Sequence, residues 1–376
     1  MKITGVNIGK AINRLDTLGD VWETVWAEDG KLYTISDDSN GVKENASMIF
    51  DRSDGLHTNV TVNVFDGEDV CSLKGRTINH MLDFGLAGSL PPDACTDGCC
   101  WKAMGITNVN GKLFISIARH DYGTVSMDYD FRQTSRNAVL IQSEDWGKTW
   151  TPSMEQCYQA PMFMGGKFGT PMFLHYGRAG TETAHGSERY VYAFSNNGFW
   201  DNGDCMRLGR VAKTNIGRLK ASDWEFYRGG DGLEDLAWTK YINEAALLLN
   251  ERGKCSMTGA QYIEDLDRYI MIQWYYTSGS GCNAVKAAEL GLSNPGEETV
   301  WDFYESPTPW GNWTKFYSHT FRGRGYYNPC IVSKFIRDGG KKFVVFTNGN
   351  FHTGNASGEK FYYRLNMVEC ELVIEK

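Results

Sequence analysis

Hydrophobic and polar positions along this chain alternate in short pairs of runs, and a glycine turn splits each pair. Residues 20–36 read Asp-Val-Trp-Glu-Thr-Val-Trp-Ala-Glu-Asp-Gly-Lys-Leu-Tyr-Thr-Ile-Ser, and residues 103–117 repeat the shape of strand, Gly-Lys turn and second alternating strand. Asp29-Gly30 and Asn110-Gly111 are strong two-residue hairpin signals, because such turns need a positive φ that Gly and Asn tolerate. Three more pairs have the same form: 168–176 with 190–194, 258–263 with 269–275, and 327–335 with 342–346. The two widest intervals between the five pairs each leave room for a further unit, with candidate strands at 60–65 and 245–249, since a four-stranded blade takes roughly 40–50 residues. The pattern predicts an all-β chain, one β-propeller domain over residues 1–376, with seven blades; a five-bladed ring with long loops is the alternative. Only 284–292 reads as a short helix, and no linker or low-complexity stretch divides the chain.

Composition supports this reading and narrows the function. The 42 Gly, 12 Trp, 19 Tyr and 19 Phe fit many short strands joined by tight turns. There is no apolar run of about 18 residues, so no membrane span is expected. A net charge of −8 argues against a nucleic-acid partner. An anionic substrate would therefore need local cations, for which Arg119, Arg207, Arg210, Arg322 and Arg324 are candidates. The ten cysteines contain no Cys-x-x-Cys pair or nearby His to complete a zinc site; disulfides in an oxidising compartment are expected, with reduced thiols as the alternative. The start Met1-Lys2-Ile3-Thr4 has no apolar signal core. The expectation is the mature form of an extracellular protein with an added Met, and an intracellular protein is the alternative. Four Asn-x-Ser/Thr sequons, at Asn45, Asn59, Asn312 and Asn355, are close to the chance number and decide little.

Residues 143–150 read Ser-Glu-Asp-Trp-Gly-Lys-Thr-Trp and fit the pattern Ser-x-Asp-x-Gly-x-Thr-Trp. Gly147 suits a positive-φ turn, Ser143 and Asp145 can accept from backbone amides, and Trp150 can tuck beneath. The stretch resembles the Asp-box of sialidase-like β-propellers; an ordinary polar hairpin turn is the plainer alternative. In propellers that carry the box, it joins the third and fourth strands of a blade on the face away from the active site. The resemblance thus implies that the chemistry lies where first strands begin and second strands end. Those places carry Asp20, Trp22, Glu23, Trp101, Lys102, Lys167, Arg324, Tyr326, Tyr327 and Asn328 at strand starts. Asn79 and His80 lie in a connection, and Asp37, Asp38, Arg119, His120, Asp121, Tyr122, Asn197, Trp200, Trp274, Tyr275, Asn348 and His352 follow second strands. Aromatic plates beside His and Arg are the inventory of a carbohydrate site.

Further segments extend the resemblance: Phe-Trp-Asp-Asn-Gly-Asp at 199–204 with Arg-Leu-Gly-Arg-Val at 207–211, Pro-Trp-Gly-Asn-Trp at 309–313, and Tyr-Tyr-Asn-Pro at 326–329. With the 143–150 motif they resemble secreted carbohydrate-active propellers, and within that group the rhamnose-α-1,4-glucuronate lyases of polysaccharide lyase family 42. The resemblance implies seven blades and removal of terminal rhamnose from glucuronate in gum arabic-type arabinogalactan by β-elimination. Elimination needs a cation to neutralise the uronate carboxylate, a base for the hydrogen on carbon 5 and an acid for the leaving oxygen. His suits both proton roles and Arg suits the carboxylate. The catalytic candidates are His80, His120, Tyr122, Arg119 and Arg324. The substrate-binding candidates are Asn79, Trp101, Lys102, Lys167, Trp200, Arg207, Trp274, Tyr326, Tyr327 and Asn328.

A glycoside hydrolase is the alternative reading. It would draw two carboxylates from Glu23, Asp37, Asp38 and Asp121. A lectin-like propeller without catalysis is the third. No cofactor and no catalytic metal is expected, a structural Ca²⁺ is neither supported nor opposed, and a closed ring predicts a monomer whose partner is a carbohydrate.

Overall fold

The computed structural model describes residues 2–44, 51–87, 95–122, 132–277, 298–322, 325–349 and 363–375. The stretch 284–292 and residues Arg324, His352, Asn45 and Asn355 lie outside the described residues.

The Asn110-Gly111 turn is built as its residues dictate. Both positions have positive φ, 50° and 77°, which matches the twist of the strands they join. Strands β1 (Lys2–Ile8) and β2 (Ile12–Asn13) open the chain. An antiparallel meander follows: β3 (Thr17–Trp26), β4 (Leu32–Val42), β5 (Thr58–Asp66) and β6 (Lys74–Asn79). The second unit is β7 (Cys100–Val109), β8 (Lys112–Asp121) and β9 (Thr134–Ser143), with Thr151 bridging back to Gln142 in the fourth position. A single helical turn, α1 (Met154–Gln159), follows with a Ser153 capping box. The third unit is β10 (Met172–His175), β11 (Tyr190–Asn196), β12 (Cys205–Ala212) and β13 (Trp224–Tyr227), fringed by β14 (Trp238–Thr239) and β15 (Leu249–Asn250). The fourth is β16 (Ala260–Ile263), β17 (Arg268–Tyr276), β18 (Glu298–Ser306) and β19 (Thr314–Arg322). The last is β20 (Cys330–Ile331), β21 (Lys342–Asn348) and β22 (Leu365–Glu375), and β1 completes it by pairing with β22, Lys2 opposite Glu375 and Ile8 opposite Cys370.

The arrangement is all-β and propeller-like. The opening strands of successive units are neighbours: β3 lies beside β7, β7 beside β10, and β20 beside both β16 and β3. β10 and β16 pair in parallel, Leu174 opposite Ala260. Units covered on both faces need apolar residues on both, so β7 is buried along its whole length and β8 along nearly all of it. The outer strand β19 instead alternates between exposed and half-buried positions. Trp22, Trp101, Trp224, Trp274 and Trp301 are among the largest fully buried side chains, so much of the aromatic content is core.

The five strand pairs of the sequence pattern are the first two strands of the five units. The two extra blades are not found where they were expected. Residues 60–65 lie within β5, the third strand of the first unit, and 245–249 form a connection that reaches the short edge strand β15. Long connections, such as the one from β13 to β16, fill the wide intervals instead. None of the nine described cysteines is bridged, so the expected disulfides do not appear among the described residues. No described helix is long and apolar enough to cross a membrane.

The 143–150 turn closes on its own side chains. Gly147 N and Thr149 N donate to Ser143 Oγ and Asp145 Oδ1 at 2.8 and 2.9 Å, and the Trp150 indole donates to Gly147 O at 3.0 Å.

Candidate active site

The site begins with an irregularity at the start of β3. Its register against β4 slips between Asp20, opposite Asp37, and Glu23, opposite Ile35. The slip places Val21 and Trp22 at positive φ, 68° and 38°. A β-branched residue there is costly and persists only where its surroundings over-determine it. Here the Trp22 indole donates to Gly19 O at 3.0 Å, and Asn328 Nδ2 donates to Val21 O at 3.5 Å. Such a bulge re-aims side chains, and this one holds Asp20 inside the molecule, 5% exposed. Asp38, on the facing strand beside Asp37, is also at positive φ, 42°.

Among the described residues, one lysine serves these carboxylates. The buried Lys102 of β7 puts its Nζ 2.5 Å from Asp38 Oδ1. The Tyr122 hydroxyl donates to Asp38 Oδ2 at 3.0 Å and the Tyr363 hydroxyl does so at 3.4 Å. The Tyr327 hydroxyl donates to Asp20 Oδ2 at 2.8 Å, and Asn348 Nδ2 donates to the Tyr327 oxygen at 2.6 Å. The Ala103 amide donates to Asp37 Oδ1 at 3.1 Å. Asp20 Oδ1 and Asp37 Oδ2 are buried and have no hydrogen-bond partner among the described residues.

The acids therefore diverge. Burial outweighs the pull of Lys102 on Asp20, adds to repulsion by Asp38, and pushes the Asp20 carboxyl up to about 7. Burial pushes Asp37 well up too. Asp38 also suffers desolvation, but Lys102, the Tyr122 hydroxyl and His57 outweigh it and hold the carboxyl below its ordinary value. Burial would lower the Lys102 ammonium, yet Asp38, Asp37 and Asp20 together raise it.

Aromatic rings wall this cluster. Trp200 meets Trp274 at 5.3 Å and Tyr327 at 5.0 Å, and Trp274 meets Tyr327 at 5.7 Å. His120 lies edge-on to Tyr122 at 4.6 Å and faces Trp200 at 6.3 Å. Buried among Gln133, Ser135 and these rings, and repelled by Lys102, its imidazole is pushed down to about 3.

Of the sequence-predicted residues, the fold gathers Lys102, His120, Tyr122, Trp200, Trp274, Tyr327 and Asn328 around this cluster. Others sit elsewhere. Arg119 is fully buried and spent on Asp97, with Nη2 at 2.7 Å from Oδ1 and Nε at 3.2 Å from Oδ2, and its guanidinium lies 4.5 Å over the Trp101 ring. Adjacent residues of a strand face opposite sides, so His120 and Arg119 cannot share the site. Trp101 is core, packed edge-on against Phe84. Lys167 is exposed and donates to Asn243. Arg207 is half-buried against the Cys205 sulfur, and nearby Arg132 pairs with Asp204 at 2.7 Å. Tyr326 stacks on Phe321 at 4.2 Å. Asn79 ends the outer strand β6 and donates to Lys148 O, and His80 beside it bonds the Leu56 backbone. Arg324 lies outside the described residues.

Asp20 and Asn348 stood on the predicted face without being chosen. Asp201 lay in the 199–204 segment without being chosen; Gln133 and Tyr363 carried no local signal, because they enter the site from connections whose path is set by the fold.

No known protein family and no curated protein matches the sequence. Solved structures do resemble the fold. A protein described as a "putative hydrolase" from Bacteroides ovatus ATCC 8483 aligns over 94% of this chain and 86% of its own, at 16% identity and a TM-score of 0.55, a likeness of fold. The catalytic domain of the Coprinopsis cinerea GH62 α-L-arabinofuranosidase aligns over 99% and 98%, at 8% identity and 0.44. The xylan β-1,4-xylosidase of Bacillus halodurans C-125 aligns over 97% and 55%, at 9% identity and 0.44. The last two scores are too low to establish a shared fold.

Proposed function

We propose that this chain is a five-bladed propeller enzyme that hydrolyses a glycosidic bond, with Asp38 and Asp20 as its carboxylate pair. The observation that carries the reading is the single buried Lys102, which stabilises one aspartate as the ion while burial keeps the other protonated towards neutral pH. Two carboxyls driven apart in this way are the division of labour that glycoside cleavage requires. Asp20, held by Tyr327, serves as the acid that protonates the leaving oxygen. Asp38, held by Lys102, Tyr122 and Tyr363, serves as the base or nucleophile at the sugar carbon. Trp200, packed on Tyr327 with the buried Trp274 behind it, supplies an apolar face for the ring.

The elimination reading has less support. Arg119, intended for the uronate carboxylate, is committed to Asp97, and His120 is held neutral in a buried network. The sugar bound beside Asp38 is accordingly proposed to be uncharged, and an extracellular location suits such a substrate. Two assays on one glycan panel separate the readings. Hydrolysis releases a reducing end without ultraviolet absorbance, and Asp38→Asn and Asp20→Asn each lower the rate by about 10²-fold or more. An absorbing unsaturated uronate as product would reject the hydrolase.

A further inference from the structure

A hydrogen-bond chain behind the acid pair gives His120 a task other than moving protons. Its Nε2 lies 2.9 Å from Gln133 Oε1, and its Nδ1 lies 3.1 Å from Ser135 Oγ. The Gln133 amide directs its Nε2 to Asp201 Oδ2 at 3.4 Å. Asp201 Oδ2 accepts from the amide N–H, so this contact orients the amide and leaves Oε1 towards the imidazole. His120 therefore donates from Nε2 and accepts at Nδ1 from the Ser135 hydroxyl, the pattern of a neutral ring. The backbone ties the same elements together: Trp200 N donates to Gln133 O at 3.2 Å and Ser135 N to Gly198 O at 2.8 Å. The fixed imidazole then stands edge-on to the Tyr122 ring at 4.6 Å, and the Tyr122 hydroxyl ends on Asp38 at 3.0 Å.

We propose that His120 is a positioning residue: the Ser135–His120–Gln133–Asp201 chain locks the imidazole as the wall that keeps the Tyr122 hydroxyl on Asp38. The role that Asp38 plays in turnover rests on the hydrolase reading; the coupling of His120 to Asp38 does not. Lys102 from β7, Asp20 from β3, the neighbouring Asp37, His57 and Tyr363 also act on the Asp38 carboxyl. Lys102 remains when Tyr122 is displaced, so the effect is partial.

The test is a carboxyl-carbon NMR titration of the chain carrying ¹³C-aspartate, with Asp38 assigned through Asp38→Asn. Tyr122→Phe removes one hydrogen bond to the ionised form and is expected to raise the Asp38 midpoint by about one pH unit. His120→Ala is expected to raise it by a similar amount, and the double variant no further, because both act through one contact. In turnover, the acidic limb of the kcat/KM profile rises in step while His120→Ala remains active. A merely structural histidine would lower stability without moving that midpoint. An Asp38 midpoint that moves in Tyr122→Phe but not in His120→Ala overturns the proposal. Should His120→Ala fail to fold, Gln133→Leu releases the ring and is expected to move the midpoint in the same direction; no movement there overturns it equally. A chain that cleaves no glycoside but shows these shifts loses the hydrolase reading and keeps this one.

Discussion

Lys102 is the residue on which the candidate site turns. It is buried between acids from β3 and β4, and its partner Asp38 is 16% exposed. Lys102→Met would leave these carboxylates without a cation, and removing one partner of a buried ion pair costs about 3–5 kcal/mol. Denaturant unfolding is expected to show a loss of that size, and the acidic limb of the rate profile should move upward as Asp38 loses its counter-ion. Asp20→Asn should act on the other limb. The alkaline fall near pH 7 is expected to vanish along with most of the turnover, and a fall that survives would assign it to another group. The residue types were legible in the chain, since Lys102, His120, Tyr122 and Tyr327 are placed by strand order alone. Their partners were not. Arg119 and His120 are sequence neighbours, yet the alternation of β8 sends one to Asp97 and the other to Gln133.

At the level of elements, the β3–β4 hairpin positions both carboxylates through a costly backbone. Gly19, φ 142°, begins the irregular stretch, and a Cβ there would lie 2.3 Å from Ser39 Oγ. Gly19→Ala is expected to destabilise the chain by about 1–3 kcal/mol and to lower turnover, because Asp20 is the next residue. Thermal unfolding read beside kcat checks both effects. The irregularity was not legible in advance. Asp-Val-Trp-Glu sets two apolar residues side by side, as a strand buried on both faces also does, and nothing local marks Val21 for a positive φ that only packing against Asn328 and Gly19 sustains. The hairpin turns were legible, because Asn-Gly carries its conformational preference in its own covalent structure.

For the whole molecule, the pairing of the first strand with the last and the pH response follow from the same packing. β1 completes the last sheet, burying Ile3 and Val6 against it. Ile3→Ala is expected to cost about 2–5 kcal/mol, measurable by denaturant unfolding, if that strand is as integral as its burial indicates. Burial raises Glu23 to about 7, as it does Asp20. A carboxyl raised by folding contributes stability that is full below its unfolded value near 4.5 and is lost as pH rises through 7. His175, lowered by burial to about 4, works in the opposite sense: its contribution is present above 6.5 and is lost as pH falls through 4. The melting temperature is therefore expected to decline from mildly acidic pH towards 8, and Glu23→Gln should flatten that decline.

The sequence by itself determined the all-β class, the hairpins, the five strand pairs and the amino acids available for a carbohydrate site, because period-two alternation and turn chemistry act over a few residues. It did not determine how many blades those pairs make, because a long interval reads the same whether it holds a hidden blade or an extended connection. Only the tertiary structure decided that Asp20 and Asp38 would share Lys102, that Arg119 would be consumed by Asp97, and that the indoles would divide between core and site. Those outcomes depend on which strands become neighbours in the fold, and the free energy of an ion pair or a buried carboxyl exists only once that neighbourhood has formed.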